Sequence, residues 1–335
     1  MPPLPPTSVA PGPSPIVVRG IARTGGRSVA IGGSEDLANV LRDPDAVVWV
    51  DVTAPDGVPV TDIAALLDLH PLVTEDIAER NQRAKFEEVD GSIHIVMFSV
   101  RYDAGAVDTV EVDLVLGGRS LLTVHDAGFD PFELDQLRRD PSGVLGRGTD
   151  YVLYSITDGL VDALFPVMDA IEDQIDELQD EVIRKVTRIT LERLFALKRQ
   201  LISLRRATSP AREIFNQLTN RDLALVSADH VIYFRDVYDH LIRVTDELDN
   251  DRDLVAGTLD VYLSTVNNNL SVTMKRLTGV TAVLAGIGAF AGIFGMSEAG
   301  SAFAGTEAVG FWLVTGGVFG LALVLAWVLH RIDWI

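Results

Sequence analysis

Cysteine is absent from all 335 residues, which excludes disulfides and thiolate metal sites and suits a cytosolic domain. Basic residues are scarce: 28 Lys plus Arg stand against 48 Asp plus Glu, a formal charge of −20. That balance excludes a nucleic-acid partner, whose phosphates need a basic surface. It is compatible with attracting cations and equally with plain solubility. No secretory signal is recognisable. Residues 1–16, MPPLPPTSVAPGPSPI, lack a basic n-region and an unbroken apolar h-region, and their seven prolines predict a disordered or polyproline tail. No nucleotide loop of the Walker type, no HExxH and no plausible Ser-His-Asp arrangement occurs, which argues against an enzyme.

Charge is missing altogether from two stretches. Residues 277–296 and 308–329 carry no Asp, Glu, Lys or Arg, although charged residues make up 23% of a chain whose mean hydropathy is +0.23. At about 1.5 Å per residue each run spans the roughly 30 Å hydrocarbon core of a bilayer. Two such runs end to end argue against a pair of buried core helices and predict a membrane protein with two C-terminal spans. Lys275 and Arg276 precede the first span, and Arg331 follows the second. The connecting residues 297–307 hold Glu298 and Glu307 but no basic residue. The positive-inside rule then puts both termini in the cytoplasm and the short loop outside, with a cytoplasmic tail at 330–335.

What precedes the spans changes character once. Residues 17–147 mix β-branched or alternating runs with short helices. VVWVDV (47–52), SIHIVMFSV (92–100), TVEVDLVLG (109–117) and SLLTVHD (120–126) predict strands, and TDIAALLDLH and PLVTEDIAER predict helices. Interleaving of this kind predicts an α/β or α+β cytoplasmic domain. From Thr149 apolar residues recur at helical spacing. One helix is expected through YVLYSITDGLVDALFPVMDAIEDQIDELQDEV, and a second through LERLFALKRQLISLRRATSP, stopped near Pro210. The last pattern runs from Ala228 through the end of the first span without a proline, predicting one stalk helix on the order of 100 Å long. Such a helix needs partners along its face, which parallel copies around an axis would supply. Residues 148–276 are thus a helical part ending in the stalk.

Steps of three and four residues along this helix meet Asn267, Ser271, Met274, Leu277 or Thr278, Thr281, Ala285, Gly288, Gly292 and Gly295. Amides and hydroxyls come first, then bulky apolar groups, then small residues. Small residues at this spacing let helices approach closely, and they could equally line a narrow conduit gated by dewetting at Met274 and Leu277. Spacing leaves both readings open.

YFRDVYDH (233–240), LDVYLSTVNNNLSVTMKRLT running into a span, GIFGM at its end, and HPLVTEDIAERNQRAKFEE (70–88) together resemble the CorA family of divalent-cation channels. The resemblance covers nearly everything after the proline tail. It implies a homopentamer in the cell membrane, with a funnel-shaped cytoplasmic domain and a central pore lined by the stalk and first span. It implies transport of Mg2+, and often Co2+ or Ni2+, down the electrochemical gradient, with cytoplasmic Mg2+ bound between subunits holding the pore closed. Asp236, the Glu75-Asp76 pair and Asp158 match acidic positions of that sensor, and His240 falls beside it. A hard cation held by one or two carboxylates and water agrees with such a set. Asn267 and Ser271 match cytoplasmic pore positions, Met274 and Leu277 a hydrophobic gate. The chain departs at the outer mouth, where the family's Gly-Met-Asn is Gly295-Met296-Ser297, followed by Glu298. Serine accepts hydrogen bonds from a hydrated cation's waters, but it is shorter than asparagine and also donates. A zinc-transporting branch that also lacks the usual Met-Asn pair, and a non-conducting membrane-anchored sensor, are the alternatives.

Overall fold

The computed structural model describes residues 16–295, apart from 56, 81 and 104, and residues 307–331. Seven strands form one sheet among them: β1 (Val17–Thr24), β2 (Arg27–Ile31), β3 (Val47–Thr53), β4 (Lys85–Val89), β5 (Ser92–Asp103), β6 (Ala106–Leu116) and β7 (Ser120–His125). Their order is β2-β1-β3-β7-β6-β5-β4. Only β3 and β7 pair in parallel. The four strands expected from alternation are present. β1, β2 and β4 are additions, joined to their neighbours by tight turns at Gly25-Gly26 and Asp90-Gly91, all four residues having positive φ.

Alternation along β3 sorts its side chains to two faces. Val48, Val50 and Val52 pack with Leu37 of α1 (Ser34–Val40), Ile63 of α2 (Thr61–Leu66), and Val73 and Ile77 of α3 (Pro71–Glu79). Across the sheet, α6 (Thr149–Asp162) packs against β3, β5, β6 and β7. The intervening α4 (Asp135–Arg139) and α5 (Pro141–Leu145) follow a 3-10 turn whose Phe132 stacks on buried Trp49 at 4.4 Å. Trp49 Nε1 donates to Thr123 Oγ1 at 2.9 Å, so the indole is satisfied inside the core. Asp51, also fully buried, accepts from Arg19 at 2.9 Å and lies 3.0 Å from His125 Nε2. Gly20 on β1 cannot be replaced without displacement, because a Cβ there would lie 2.4 Å from the Trp49 carbonyl oxygen.

The helical part differs from expectation at two prolines. The run from Thr149 is two helices, α6 and α7 (Leu164–Arg184), interrupted at Ala163. Pro166 has no N–H to offer the Asp162 carbonyl, and its ring crowds that oxygen. Conversely, α8 (Arg188–Asn220) does not stop near Pro210 but passes through it. A proline inside a helix costs about 3 kcal/mol. Burial of Ala211, Ile214, Phe215 and Leu218 beyond it offsets that cost. The last pattern forms α9 (Val231–Gly295), 65 residues without interruption, starting three positions after the expected Ala228. Its start is tied to that of α6. Asp150 accepts from Tyr151 N at 3.0 Å, Ser227 N at 2.9 Å and His230 Nδ1 at 2.8 Å.

The chain divides into two compact units, residues 1–178 with 192–256, and residues 179–191 with 257–335. In the first, Phe234, Val237, Leu241, Val244, Leu248 and Val255 of α9 are buried. In the second, Leu263, Leu270, Met274, Leu277, Val280 and Leu284 of the same helix are exposed, as are Trp312, Phe319, Leu323 and Trp327 of α10 (Glu307–Arg331). With 25 residues α10 is about 37 Å long. α9 and α10 touch where a Cβ on Gly286 would lie 3.3 Å from Leu325 Cδ1. The stretch 149–184 is comparably apolar, but most of it is buried, so it is core rather than a span.

Asp251 on α9 is 4% exposed, and its Oδ2 has no hydrogen bond. Burial, followed by the charges of Glu247 and Glu172, pushes its carboxyl from 3.8 up to about 6. A folded-state value above the ordinary one means that ionisation opposes folding, a cost absent below about pH 4 and complete above about pH 6. Asp251→Asn should therefore melt higher than the parent at pH 7.5, with the gap closing towards pH 4. A gap independent of pH in EDTA-containing melts would contradict this account.

Candidate cation site and conduction face

Glu75 and Asp76 are presented by α3, which begins at Pro71 and is capped by His70 Nδ1 accepting from Leu72 N at 3.2 Å. The two carboxylates have different surroundings. Asp76 accepts from Lys85 and, at 3.2 Å, from Gln82 Nε2. Lys85 also reaches Glu87 at 2.9 Å. Asp76, Glu87 and His94 lie close enough to share a metal. However, the Lys85 ammonium already bridges the two carboxylates, and His94 Nε2 is 2.8 Å from Asp113. Lys85 thus neutralises the two carboxylates, although His94 Nδ1 and Asp113 Oδ2 are buried without a hydrogen bond. Glu75, one position away, is exposed and unpaired among the described residues.

A second cluster forms where α6 meets α9. Asp158 and Asp162 are one turn apart on α6, and Asp236 and His240 are one turn apart on α9. Ligand atoms of Asp158, Asp162 and His240 lie within 4.8 Å of one another. His240 Nδ1 is 3.5 Å from Asp162 Oδ1, yet it is buried without a hydrogen bond. Phe165 packs edge-on to that imidazole at 5.6 Å. Asp158 Oδ2 accepts from Gln136 Nε2 at 3.3 Å and from the Tyr154 hydroxyl at 3.4 Å. Gln136 is held in turn by Ser155 Oγ at 3.2 Å. Burial, then Asp162, pushes the Asp158 carboxyl from 3.8 up to about 6; Asp236 adds to the rise, while His240 opposes it. Burial likewise raises the Tyr154 phenol to about 12. An orphaned imidazole nitrogen beside two carboxylates, one of them reluctant to ionise, fits a divalent cation. Carboxylate oxygens suit Mg2+, and the imidazole suits Co2+, Ni2+ or Zn2+.

Sequence reasoning named Asp158, Asp236 and His240 but missed Asp162, Gln136 and Tyr154. The four-residue spacing in SITDGLVD could have found Asp162. Gln136 is brought in by tertiary packing alone. Neither group of potential ligand atoms includes Glu75, and Asp236 borders the second without contributing a ligand atom to it; both carboxylates are exposed, with no ion pair among the described residues.

On α9, Asn267, Ser271, Met274, Leu277, Thr281, Ala285, Gly288 and Gly292 are all exposed. Ser271 Oγ donates to the Asn267 carbonyl at 3.0 Å, and Thr281 Oγ1 to the Leu277 carbonyl at 2.8 Å. With their hydrogens directed to their own helix, these hydroxyls keep acceptor lone pairs for other partners. A Cβ on Gly288 or Gly292 would meet nothing within 4 Å, whereas Gly286, off this face, is the one against α10. Among the described residues, contact with α10 therefore does not account for small residues at 288 and 292. Gly295 ends α9; Met296, Ser297 and Glu298 lie outside the described residues.

Residues 44–331 match the family described as CorA-like Mg2+ transporter protein. The chain is 35% identical to the cobalt/magnesium transport protein CorA of Thermotoga maritima over 272 residues, 78% of this chain and 77% of that one. It is 24% identical over 272 residues to the zinc transport protein ZntB of Yersinia pseudotuberculosis, covering 80% and 81%. The solved CorA magnesium transporter from Methanocaldococcus jannaschii has the same fold, with a TM-score of 0.77 at 19% identity, covering 96% of this chain and 98% of that one. An α+β domain, long helices and apolar C-terminal helices, matched along most of their length by these relatives, make this chain a member of the CorA-like family of divalent-cation transporters and not an enzyme.

Proposed function

We propose that the chain assembles in the cell membrane as a homopentamer that conducts Mg2+, and with it Co2+ or Ni2+, into the cell down the electrochemical gradient. Both termini are cytoplasmic. The observation that carries this reading is the bare face of α9, which runs from polar through bulky apolar to small residues and has no partner among the described residues. Five copies facing an axis cover it. Glu298 then concentrates cations at the outer mouth, and Ser297 accepts hydrogen bonds from the waters of the entering ion. Acceptors at Thr281, Ser271 and Asn267 carry the hydrated ion inward, and Met274 with Leu277 closes the path by dewetting.

Regulation uses the acidic surfaces left unpaired in one chain. A cytoplasmic Mg2+ between neighbours draws together Asp236 and the partner subunit's Glu75, while a second is held by Asp158, Asp162 and His240. Asp76 joins only by releasing Lys85, so Glu75 is the readier of the pair. Loss of the cation restores carboxylate repulsion and loosens the closed assembly. The zinc reading is favoured by the His240 imidazole and by likeness to a zinc transport protein. Initial uptake into proteoliposomes with Mg2+, Co2+, Ni2+ and Zn2+ decides between them: a preference for Zn2+ overturns the magnesium assignment, and no flux at all leaves a non-conducting sensor.

At the regulatory site, Asp236→Asn should weaken closure and remove the Mg2+-dependent protection of the stalk against protease. Full protection at unchanged Mg2+ would disprove its role, and a dimer as the intact species in native mass spectrometry would disprove the pentamer.

Because ionised Asp158 opposes folding above about pH 6, Asp158→Asn should raise the melting temperature of the metal-free protein at pH 7.5. The same change should shrink the further rise produced by Mg2+. An undiminished Mg2+ response would exclude Asp158 from the site.

At the mouth, Ser297→Asn should raise apparent Mg2+ affinity and Ser297→Ala lower it, because acceptor number and reach change in opposite senses. Glu298→Gln should weaken capture of every divalent ion alike, with an effect that fades as salt shortens the screening length to about 10 Å at 0.1 M. Superimposable uptake curves for the two Ser297 variants and the parent would move selection to Asn267 and Ser271.

A further inference from the structure

A cleft in the first unit lies away from the acidic site, on the side where α8 passes the hairpin of β5 and β6. It has a volume of about 860 Å3, and four arginines line it: Arg83, Arg205, Arg206 and Arg252. On a chain of charge −20 this is an unusual concentration of guanidinium groups. Arg205 and Arg252 share Asp249 at 3.3 and 3.4 Å. Arg83 and Arg206 are exposed and have no ion pair among the described residues. Half-buried Phe98 and the ring of Pro210 supply apolar walls.

Two features of the lining await a hydrogen-bonding partner. Ser209 Oγ is buried without one. Pro210 has no N–H to give the Arg206 carbonyl, so the helix turn beside the cleft lacks its regular bond. The helix thus carries its one proline where its wall meets the arginines, the feature of α8 that its sequence pattern did not anticipate.

We propose that this cleft binds a nucleoside polyphosphate. Arg83 and Arg206 pair bidentately with phosphate oxygens, Phe98 stacks on the base, and ribose hydroxyls bond the Ser209 hydroxyl and the Arg206 carbonyl. The volume falls within the roughly 300–1,000 Å3 of small-molecule sites. A phosphate-loop motif is not required, because side-chain guanidiniums replace backbone amides as anion donors. The site is independent of which cation the protein carries.

The test uses the full chain in detergent with EDTA present, so that no nucleotide-bound metal bridges to the acidic site. Radiolabelled ATP is measured by equilibrium dialysis and challenged with AMP, adenosine and inorganic triphosphate. Saturable binding of ATP is expected, with AMP weaker and adenosine inert. Arg83→Gln and Arg206→Gln should each weaken ATP about tenfold, and Arg206→Lys less, since charge remains but the bidentate fork is lost. Phe98→Leu should weaken ATP but leave triphosphate unchanged. The Mg2+-dependent melting shift should be the parent's in every variant, showing that folding and the acidic site are intact. No saturable ATP binding, or binding indifferent to both Gln variants, overturns the proposal. Triphosphate binding as tight as ATP overturns the nucleotide assignment, because the apolar wall would then contribute nothing.

Discussion

Everything in this protein turns on one helix that cannot satisfy itself. Over its first twenty-odd residues α9 buries a continuous apolar stripe, Phe234, Val237, Leu241, Val244 and Leu248, among the helices of its own unit. Burial continues through Val255 and Tyr262, whose hydroxyl donates to the Thr187 carbonyl at 3.1 Å, and beyond Tyr262 the described residues of α9 are largely exposed, apart from the contact at Gly286. Hydrophobic surface on this scale is not left to water. A bilayer covers the outward side of residues 277–295, and copies of the chain cover the rest in our reading. The membrane and the assembly are thus consequences of the same unfilled face.

The acidic site follows a second constraint, that a chain this negative must place some carboxylates near one another. The protein resolves most such encounters with a cation of its own. Lys85 sits between Asp76 and Glu87, and Arg19 between Asp51 and Asp130. Asp158 and Asp162 have no arginine or lysine partner among the described residues; they have His240 and the neutral donors Gln136 and Tyr154. A neutral donor orients a carboxylate without discharging it. In our proposal that repulsion is what an external divalent cation relieves, linking binding to conformation here and not at Asp76.

Local irregularities also fall where chemistry is concentrated. The break at Ala163 separates the acidic end of α6 from the amphipathic α7, leaving Asp162 at a helix end beside His240. Pro210 disturbs α8 beside the arginine-lined cleft. In both places a proline interrupts regular hydrogen bonding that the surrounding burial is strong enough to tolerate.

The sequence alone determined the features that depend on composition over many residues. Uncharged runs of twenty positions need a bilayer, proline-free periodicity makes a long helix, and alternation makes β3, β5, β6 and β7, because these signals add over a segment. It was weaker where a few residues decide. β1, β2 and β4 rest on two-residue turns, Gly25-Gly26 and Asp90-Gly91, readable in principle yet embedded in strands of mixed polarity. Proline misled at 166 and 210, since the outcome depends on how much burial lies beyond each ring. Only the tertiary structure decided that Asp76 is occupied by Lys85 while Asp158 is not, and that Gln136 reaches Asp158 across twenty-two positions. Side-chain charge is written in the sequence, but whether a charge is neutralised, solvated or left waiting depends on which neighbours folding brings within about 4 Å.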